Sequence, residues 1–199
     1  MSKIVLASNN KGKLAEFQQL FVPLGIELIN QGALGVGECE EPYFTFLENA
    51  LVKARFASKH TGLPAIADDS GLVVPSLNGA PGVLSARYAL SLGATEKSDA
   101  LNNAYLLKAL ENVSDRSAFY VACLVYVRNE QDPCPIVAQA FWHGCIALQA
   151  KGDNGFGYDP YFYLPELGKT AAELTPSEKN SISHRGQALR KLLAELKNA

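Results

Sequence analysis

Ile4, Val5, Leu6 and Ala7 form an apolar run that stops abruptly at Ser8. Such a pattern predicts a buried strand ending in a polar loop. Leu14, Phe17, Leu20 and Phe21 then recur at helical spacing, and Pro23 and Gly25 close that helix before a second strand, Ile26–Ile29. Residues 31–43 are a loop rich in Gly and Glu. A longer helix follows to about His60, with Leu47, Ala50, Leu51, Ala54 and Ala57 on its apolar face and a capping box of Thr45 and Glu48 at its start. Ala65, Ile66 and Ala67 make a short strand running into Asp68, Asp69, Ser70 and Gly71. Asn78-Gly79 and Pro81-Gly82 are turn signals. Glu96 to Leu110 reads as a helix, and Phe119–Val127 and Ile136–Trp142 read as two long strands, expected to be antiparallel. Gly152 to Tyr163 is a glycine- and aromatic-rich loop, and a last helix begins at Ser183 with Leu189, Leu192, Leu193 and Leu196 facing inward. Helices and strands alternate irregularly, which predicts an α/β fold with a mixed sheet.

The chain has 199 residues and 48% apolar composition, enough for one domain with a full core. A net charge of −2, with Lys and Arg dispersed, argues against nucleic acid and membrane surfaces as partners. It leaves room for a small anion held by a few converging lysines. Cys39, Cys123, Cys134 and Cys145 form no CxxC pair and no zinc spacing, so reduced thiols in a reducing compartment are expected. The apolar start is too short for a signal peptide, and no run approaches a membrane span. The chain therefore reads as cytoplasmic.

Four stretches could carry chemistry. Ser8, Asn9, Asn10, Lys11, Gly12 and Lys13 join a strand to a helix start, where backbone N–H groups and ammoniums favour a phosphate. The loop is no Walker A motif, because position 7 is Ala, and Gly168-Lys169-Thr170 fails the same test because position 163 is Tyr. Asp68 and Asp69 are adjacent carboxylates that repel unless a cation compensates. On a strand they point to opposite sides. Oxygen ligands suit magnesium, with Glu38, Glu40 and Glu41 as further donors. Gly155, Phe156, Gly157, Tyr158, Asp159 and Pro160 combine glycines with aromatics, a composition that lets backbone and ring faces meet a base. Lys179, with His184 and Arg185 in the first turn of the last helix, places positive charge against the helix dipole, which suggests an anion or base to bind.

Together these stretches resemble the inosine triphosphate pyrophosphatase family. The resemblance runs from Lys3 to about Leu196. It rests on Ser8 to Lys13 with Glu16, Phe46 to Ala50 with Lys53 and Ala54, Ala67 to Leu72, Gly79 to Gly82 with Ser85 to Tyr88, Phe156 to Pro160, and Ser183 to Gly186. Six such motifs in the family's order are specific. The resemblance implies magnesium-dependent hydrolysis of deaminated purine nucleoside triphosphates (ITP, dITP, XTP) to monophosphate and pyrophosphate, which clears them from the nucleotide pool. It implies that Asp69 is general base and metal ligand, with Glu40 the other ligand and Glu41 beside it the alternative. Ser8 to Lys13 and Lys53 would hold phosphates, and Ser70 would touch substrate. Phe156, Gly157, Tyr158, Asp159, Lys179, His184 and Arg185 would surround base and sugar. The implied fold is an elongated mixed β-sheet with flanking helices forming two lobes around a central cleft, a single 1–199 domain and a homodimer. Many members have Thr-Gly-Asn where this chain has Ser8, Asn9 and Asn10, so Asn9 puts a side chain where glycine is usual. A broader pyrophosphatase acting on other modified nucleotides, and a nucleotide sensor without turnover, are the rival readings.

Overall fold

A computed structural model describes residues 2–9, 14, 17–18 and 21–198. The expected phosphate-loop residues Asn10, Lys11, Gly12 and Lys13 lie outside the described residues. The fold is mixed α/β, an open seven-stranded sheet flanked by helices. The strands are β1 (Ser2–Leu6), β2 (Ile26–Asn30), β3 (Ala65–Val73), β4 (Ser117–Val127), β5 (Ile136–Ile146), β6 (Phe162–Leu164) and β7 (Lys169–Thr170). Their order across the sheet is β2-β1-β3-β4-β5-β6-β7. β1 runs parallel to β2 and β3, whereas β6 is antiparallel to β5 and β7, so the sheet is mixed as the irregular alternation predicts. The α-helices are α1 (Phe46–Thr61), α2 (Tyr88–Ser91), α3 (Asp99–Ala109), α4 (Pro176–Ile182) and α5 (His184–Asn198). Leu14, Phe17, Gln18 and Phe21 are helical too, with Phe17 and Phe21 buried and their rings stacked 6.1 Å apart. Among the described residues no helix is long and apolar enough to cross a membrane, and all four cysteines are free.

Two expectations change. β3 does not stop at Ala67 but continues to Val73, so Asp68 and Asp69 are interior strand residues, 3% and 8% exposed. The Asp69 carboxylate tolerates that position because a cation reaches it from α1, as described below. The box at the start of α1 is half of what Thr45 and Glu48 predict. The Thr45 hydroxyl accepts from Glu48 N at 3.2 Å, while the Glu48 carboxylate accepts from that hydroxyl at 2.6 Å.

Contacts divide the chain into two compact units. In the first (residues 1–69, 122–139 and 188–199), Val5, Ala7, Ala65, Ala67, Cys123, Val125 and Val127 pack with Ala50, Ala54 and Ala57 of α1. A helix face of alanines can approach a sheet closely, and α1 ends on Gly62, whose φ of 67° is the left-handed cap a side chain disfavours. In the second unit (70–121 and 140–187), Leu72, Leu106, Tyr120, Trp142, Tyr158 and Phe162 belong to one core cluster.

The β4–β5 loop is held by Asp132, which is 1% exposed. Its carboxylate accepts from Arg128 N, Cys134 N and the Arg128 guanidinium, each at 2.8–2.9 Å. Burial pushes its pKa up, but these donors pull it further down, below the ordinary aspartate value. Asp132→Ala is expected to cost roughly 2–3 kcal/mol, about 5–10 °C in melting temperature. A depressed carboxyl stabilises the fold above its ordinary pKa and loses that effect as pH falls through the lower folded value. The gap between wild type and Asp132→Ala should therefore be constant near neutrality and narrow in strong acid. Thermal melts across pH check it, and a gap that widens in acid would contradict the assignment.

Candidate active site

In the first unit the site grows from α1 and β3. Asp69 lies two residues beyond Ala67 and four beyond Ala65, so the period of two puts it on the strand face that packs against α1. Lys53 follows Ala50 by three residues and so lies on the helix side that carries the alanines. Its ammonium donates to Asp69 Oδ1 at 2.9 Å, to Glu41 Oε1 at 2.6 Å and to the Asp68 carbonyl at 3.0 Å. An ammonium has three donors, and all three are used. Burial alone would lower the Lys53 pKa, yet the two carboxylates outweigh it and hold the lysine charged. Burial pushes the Asp69 carboxyl above its ordinary value, opposed by Lys53 and reinforced by repulsion from Glu41 and Asp68. The neighbouring Cys123 thiol is pushed up to about 12 by burial and by the same two aspartates, so it stays protonated and inert.

The acidic loop before α1 is positioned by Asn49, which is 1% exposed. Its carboxamide accepts from Tyr43 N and donates to Tyr43 O, both at 3.1 Å. That pair of hydrogen bonds fixes the backbone two residues after Glu41. Glu41 is thus the glutamate joined to Lys53, while the side chain of Glu40 belongs to an exposed residue. Ser8 is half-buried just past β1, and Asn9 is exposed with its carboxamide oxygen packed over Gly32.

A divalent cation fits this donor set. Asp69 Oδ2 is buried and has no hydrogen-bond partner among the described residues, and Glu41 supplies a second carboxylate at the same lysine. Among the described residues no group of three or more His, Cys, Asp or Glu forms a ready metal cage. Magnesium does not need one, because it keeps several waters and takes one or two carboxylates with substrate phosphates.

The second unit assembles the aromatic loop. Asp159, 2% exposed, accepts from Phe156 N at 2.8 Å and pairs with the Lys179 ammonium. Gly155 has φ of 80°, and a Cβ there would collide with the Asp159 carboxylate, so glycine is required. Phe156 is 56% exposed, with Lys179 Nζ 4.8 Å and Arg185 Cζ 5.9 Å from its ring centroid. Arg185 also donates to Ser70 Oγ at 3.0 Å. His184 is buried and stacks on Tyr120 at 4.7 Å with planes 6° apart. Ser183 Oγ caps α5 by accepting from Gly186 N at 3.2 Å.

Of the residues singled out in sequence, Asp69, Lys53 and Glu41 meet in the first unit, and Phe156, Asp159, Lys179, Arg185 and Ser70 meet in the second. Tyr158 does not present its ring with Phe156. It is 3% exposed in the core, its hydroxyl donating to the Ser85 carbonyl at 2.8 Å. Sequence reasoning missed Tyr120 beneath His184, and Asp99 and Asn103, which touch Gly157.

A sequence model of the Ham1 family matches residues 4–195. A protein of Bordetella pertussis named dITP/XTP pyrophosphatase is 60% identical over 197 residues, spanning 99% of this chain and 92% of its own. One of Ralstonia nicotianae with the same name is 58% identical over 197 residues, spanning 99% and 98%. Among solved structures, that of a HAM1 protein from Coxiella burnetii has a TM-score of 0.94 at 51% identity, covering 100% of both chains.

Proposed function

The chain belongs to the Ham1 family, and on that premise we propose that it hydrolyses deaminated purine nucleoside triphosphates to the monophosphate and pyrophosphate. The observation that carries this reading is a buried aspartate, Asp69, with one oxygen on Lys53 and the other without a hydrogen-bond partner among the described residues. Such a carboxylate is oriented by its first oxygen and available through its second. In the proposed reaction a water attacks phosphorus at the α–β linkage, the bond to the pyrophosphate oxygen breaks, and the water's proton passes to Asp69 Oδ2. Burial raises the pKa of that carboxyl in the metal-free protein, a cation on it would oppose the rise, and Asp69 then serves chiefly to orient the attacking water.

Magnesium held by Asp69 and a glutamate, Glu41 by present geometry or Glu40 by resemblance, would neutralise phosphate charge and stabilise the leaving group. Lys53 keeps the two carboxylates together before substrate arrives. Contact between Lys53 and phosphate requires it to exchange one of its three acceptors. The chain around Ser8 and Asn9, continuing to Lys13, is proposed to receive the phosphates. Phe156, with Lys179, His184 and Arg185, is proposed to receive the base and sugar. Hypoxanthine and xanthine present a carbonyl at position 6, which Arg185 can meet as donor, whereas adenine presents an unmatched donor there. The homodimer and cytoplasmic setting implied by the resemblance belong to the same proposal, and sedimentation of the purified chain tests the first.

Pyrophosphate release from ITP, XTP, dITP, GTP, ATP and dTTP in magnesium decides the matter. Strong preference for the first three is expected. Equal rates on ATP and ITP would point to a broader pyrophosphatase, and binding without product would point to a sensor.

A further inference from the structure

Phe156 is exposed, yet the backbone beside it is tethered on all sides. Phe156 N is held by Asp159, and the Tyr158 hydroxyl is held by the Ser85 carbonyl. The residue between them, Gly157, is held by one helix. Gly157 N donates to Asp99 Oδ2 at 2.8 Å, and Gly157 O accepts from Asn103 Nδ2 at 2.8 Å. Asp99 and Asn103 stand four residues apart on α3, hence on one face, and Ser98 caps that helix by accepting from Leu101 N. We infer that Asp99 and Asn103 are positioning residues for base recognition, a clamp on Gly157 that fixes where the Phe156 ring stands. This rests on the reading of Phe156 as part of the base site.

Three observations carry the inference beyond ordinary loop packing. The clamp takes both backbone polar groups of a single residue, so it fixes the orientation of the peptide as well as its place. Gly157 has φ of 63°, a conformation with no side chain of its own to pack, and its position therefore depends on those two bonds. Asn103 is 8% exposed, and its amide nitrogen faces two carbonyls, Gly157 O and Asp99 O, which settles which end is nitrogen. Its oxygen is buried without a hydrogen-bond partner among the described residues. A buried carboxamide with one orphaned end is offset by what its other end does, bonding Gly157 O and Asp99 O. A side chain serving only the α3 core would be better replaced by an apolar one.

The chemistry predicts an asymmetric set of variants. Asn103→Asp swaps a nitrogen donor for an oxygen that faces two carbonyls. Asp99→Ala removes the acceptor of Gly157 N, while Asp99→Asn keeps an oxygen there. Two measurements are made on the full-length protein. Amide hydrogen exchange of the peptide containing residues 155–158 is expected to speed up at least tenfold in Asn103→Asp and Asp99→Ala, with β4 protection unchanged, and to return towards wild type in Asp99→Asn. Steady-state kinetics with ITP and ATP are expected to show KM for ITP raised roughly tenfold in the first two variants, kcat changed less than threefold, and the preference for ITP over ATP reduced. A purely structural role would lower melting temperature and active fraction while leaving KM and preference alone, and that result would overturn the proposal. Unchanged exchange at 155–158 in both disrupting variants would overturn it as well. Wild-type enzyme without preference for ITP would defeat the functional reading instead, and the exchange data would still judge the clamp.

Discussion

Asp69→Asn is expected to reduce turnover by roughly a thousandfold or more while leaving the protein folded, with a melting temperature near that of wild type. The two halves have one cause. Asparagine can keep an oxygen on Lys53, so the link between β3 and α1 at 2.9 Å is preserved. What it cannot do is accept the water's proton or carry the charge that the proposed metal site needs. For stability the sign follows from the direction of the shift. Burial raises the Asp69 pKa in the folded state, so the native protein holds that proton more tightly than the unfolded chain. Ionisation therefore costs the native state stability as pH rises from the ordinary aspartate value through the raised one, and the cost persists at neutrality. A neutral amide escapes it but gives up the attraction that Asp69 lends the buried Lys53, whose charge then rests on Glu41, so the two effects offset. Pyrophosphate release with ITP, and thermal melts in metal-free buffer, check the two halves. Turnover above a tenth of wild type would remove Asp69 from the mechanism, and a sharply lower melting temperature would show that its charge holds the fold.

Much of the fold follows from local pattern, and its failures have physical reasons. β1, β2, α1, α3, β4, β5 and α5 coincide with apolar periodicity and with caps such as Ser183. β3 exceeds the prediction because Asp68 and Asp69 look like a loop in sequence, and it takes the lysine sixteen positions earlier to make the buried Asp69 carboxylate tolerable. The short β6 and β7 are too brief to carry a period and exist through pairing with β5 and with each other. α4 is legible in sequence, since Thr175 and Glu178 make a capping box with Pro176 in the first position. The candidate site divides the same way. Residue types suited to phosphate and metal chemistry stand out in sequence, as Asp69 and Lys53 do. Partners that act through backbone, such as Asn49 on Tyr43 or Asn103 on Gly157, leave no local trace, because any segment offers N–H and C=O groups. Glu41 illustrates the remainder. Its neighbour Glu40 is chemically identical, and the difference between them lies in the backbone that Asn49 holds at Tyr43, with Glu41 the one that meets Lys53 in this structure.

Asp159→Ala should be the most destabilising of the exchanges at the aromatic loop, lowering the melting temperature by roughly 10 °C. Asp159 and Lys179 pair with side chains only 3% and 16% exposed. Removing the carboxylate leaves an ammonium in a place where water reaches it poorly, and it also frees Phe156 N, which Asp159 holds at 2.8 Å. Breaking one side of a buried pair costs about 3–5 kcal/mol, most of it the penalty of the charge left behind. The pair itself contributes far less than that figure suggests, and a second substitution separates the two quantities. Lys179→Met removes the stranded charge and keeps much of its apolar length, so the double variant should melt above Asp159→Ala alone despite carrying one more change. It should not recover ITP binding, because Phe156 then loses both the tether of its backbone and the cation 4.8 Å from its ring. Melting curves and KM for the two single variants and the double one complete the cycle. Additive losses in melting temperature would show that Asp159 and Lys179 act independently, and recovery of KM in the double variant would show that the pair serves the fold and not the base.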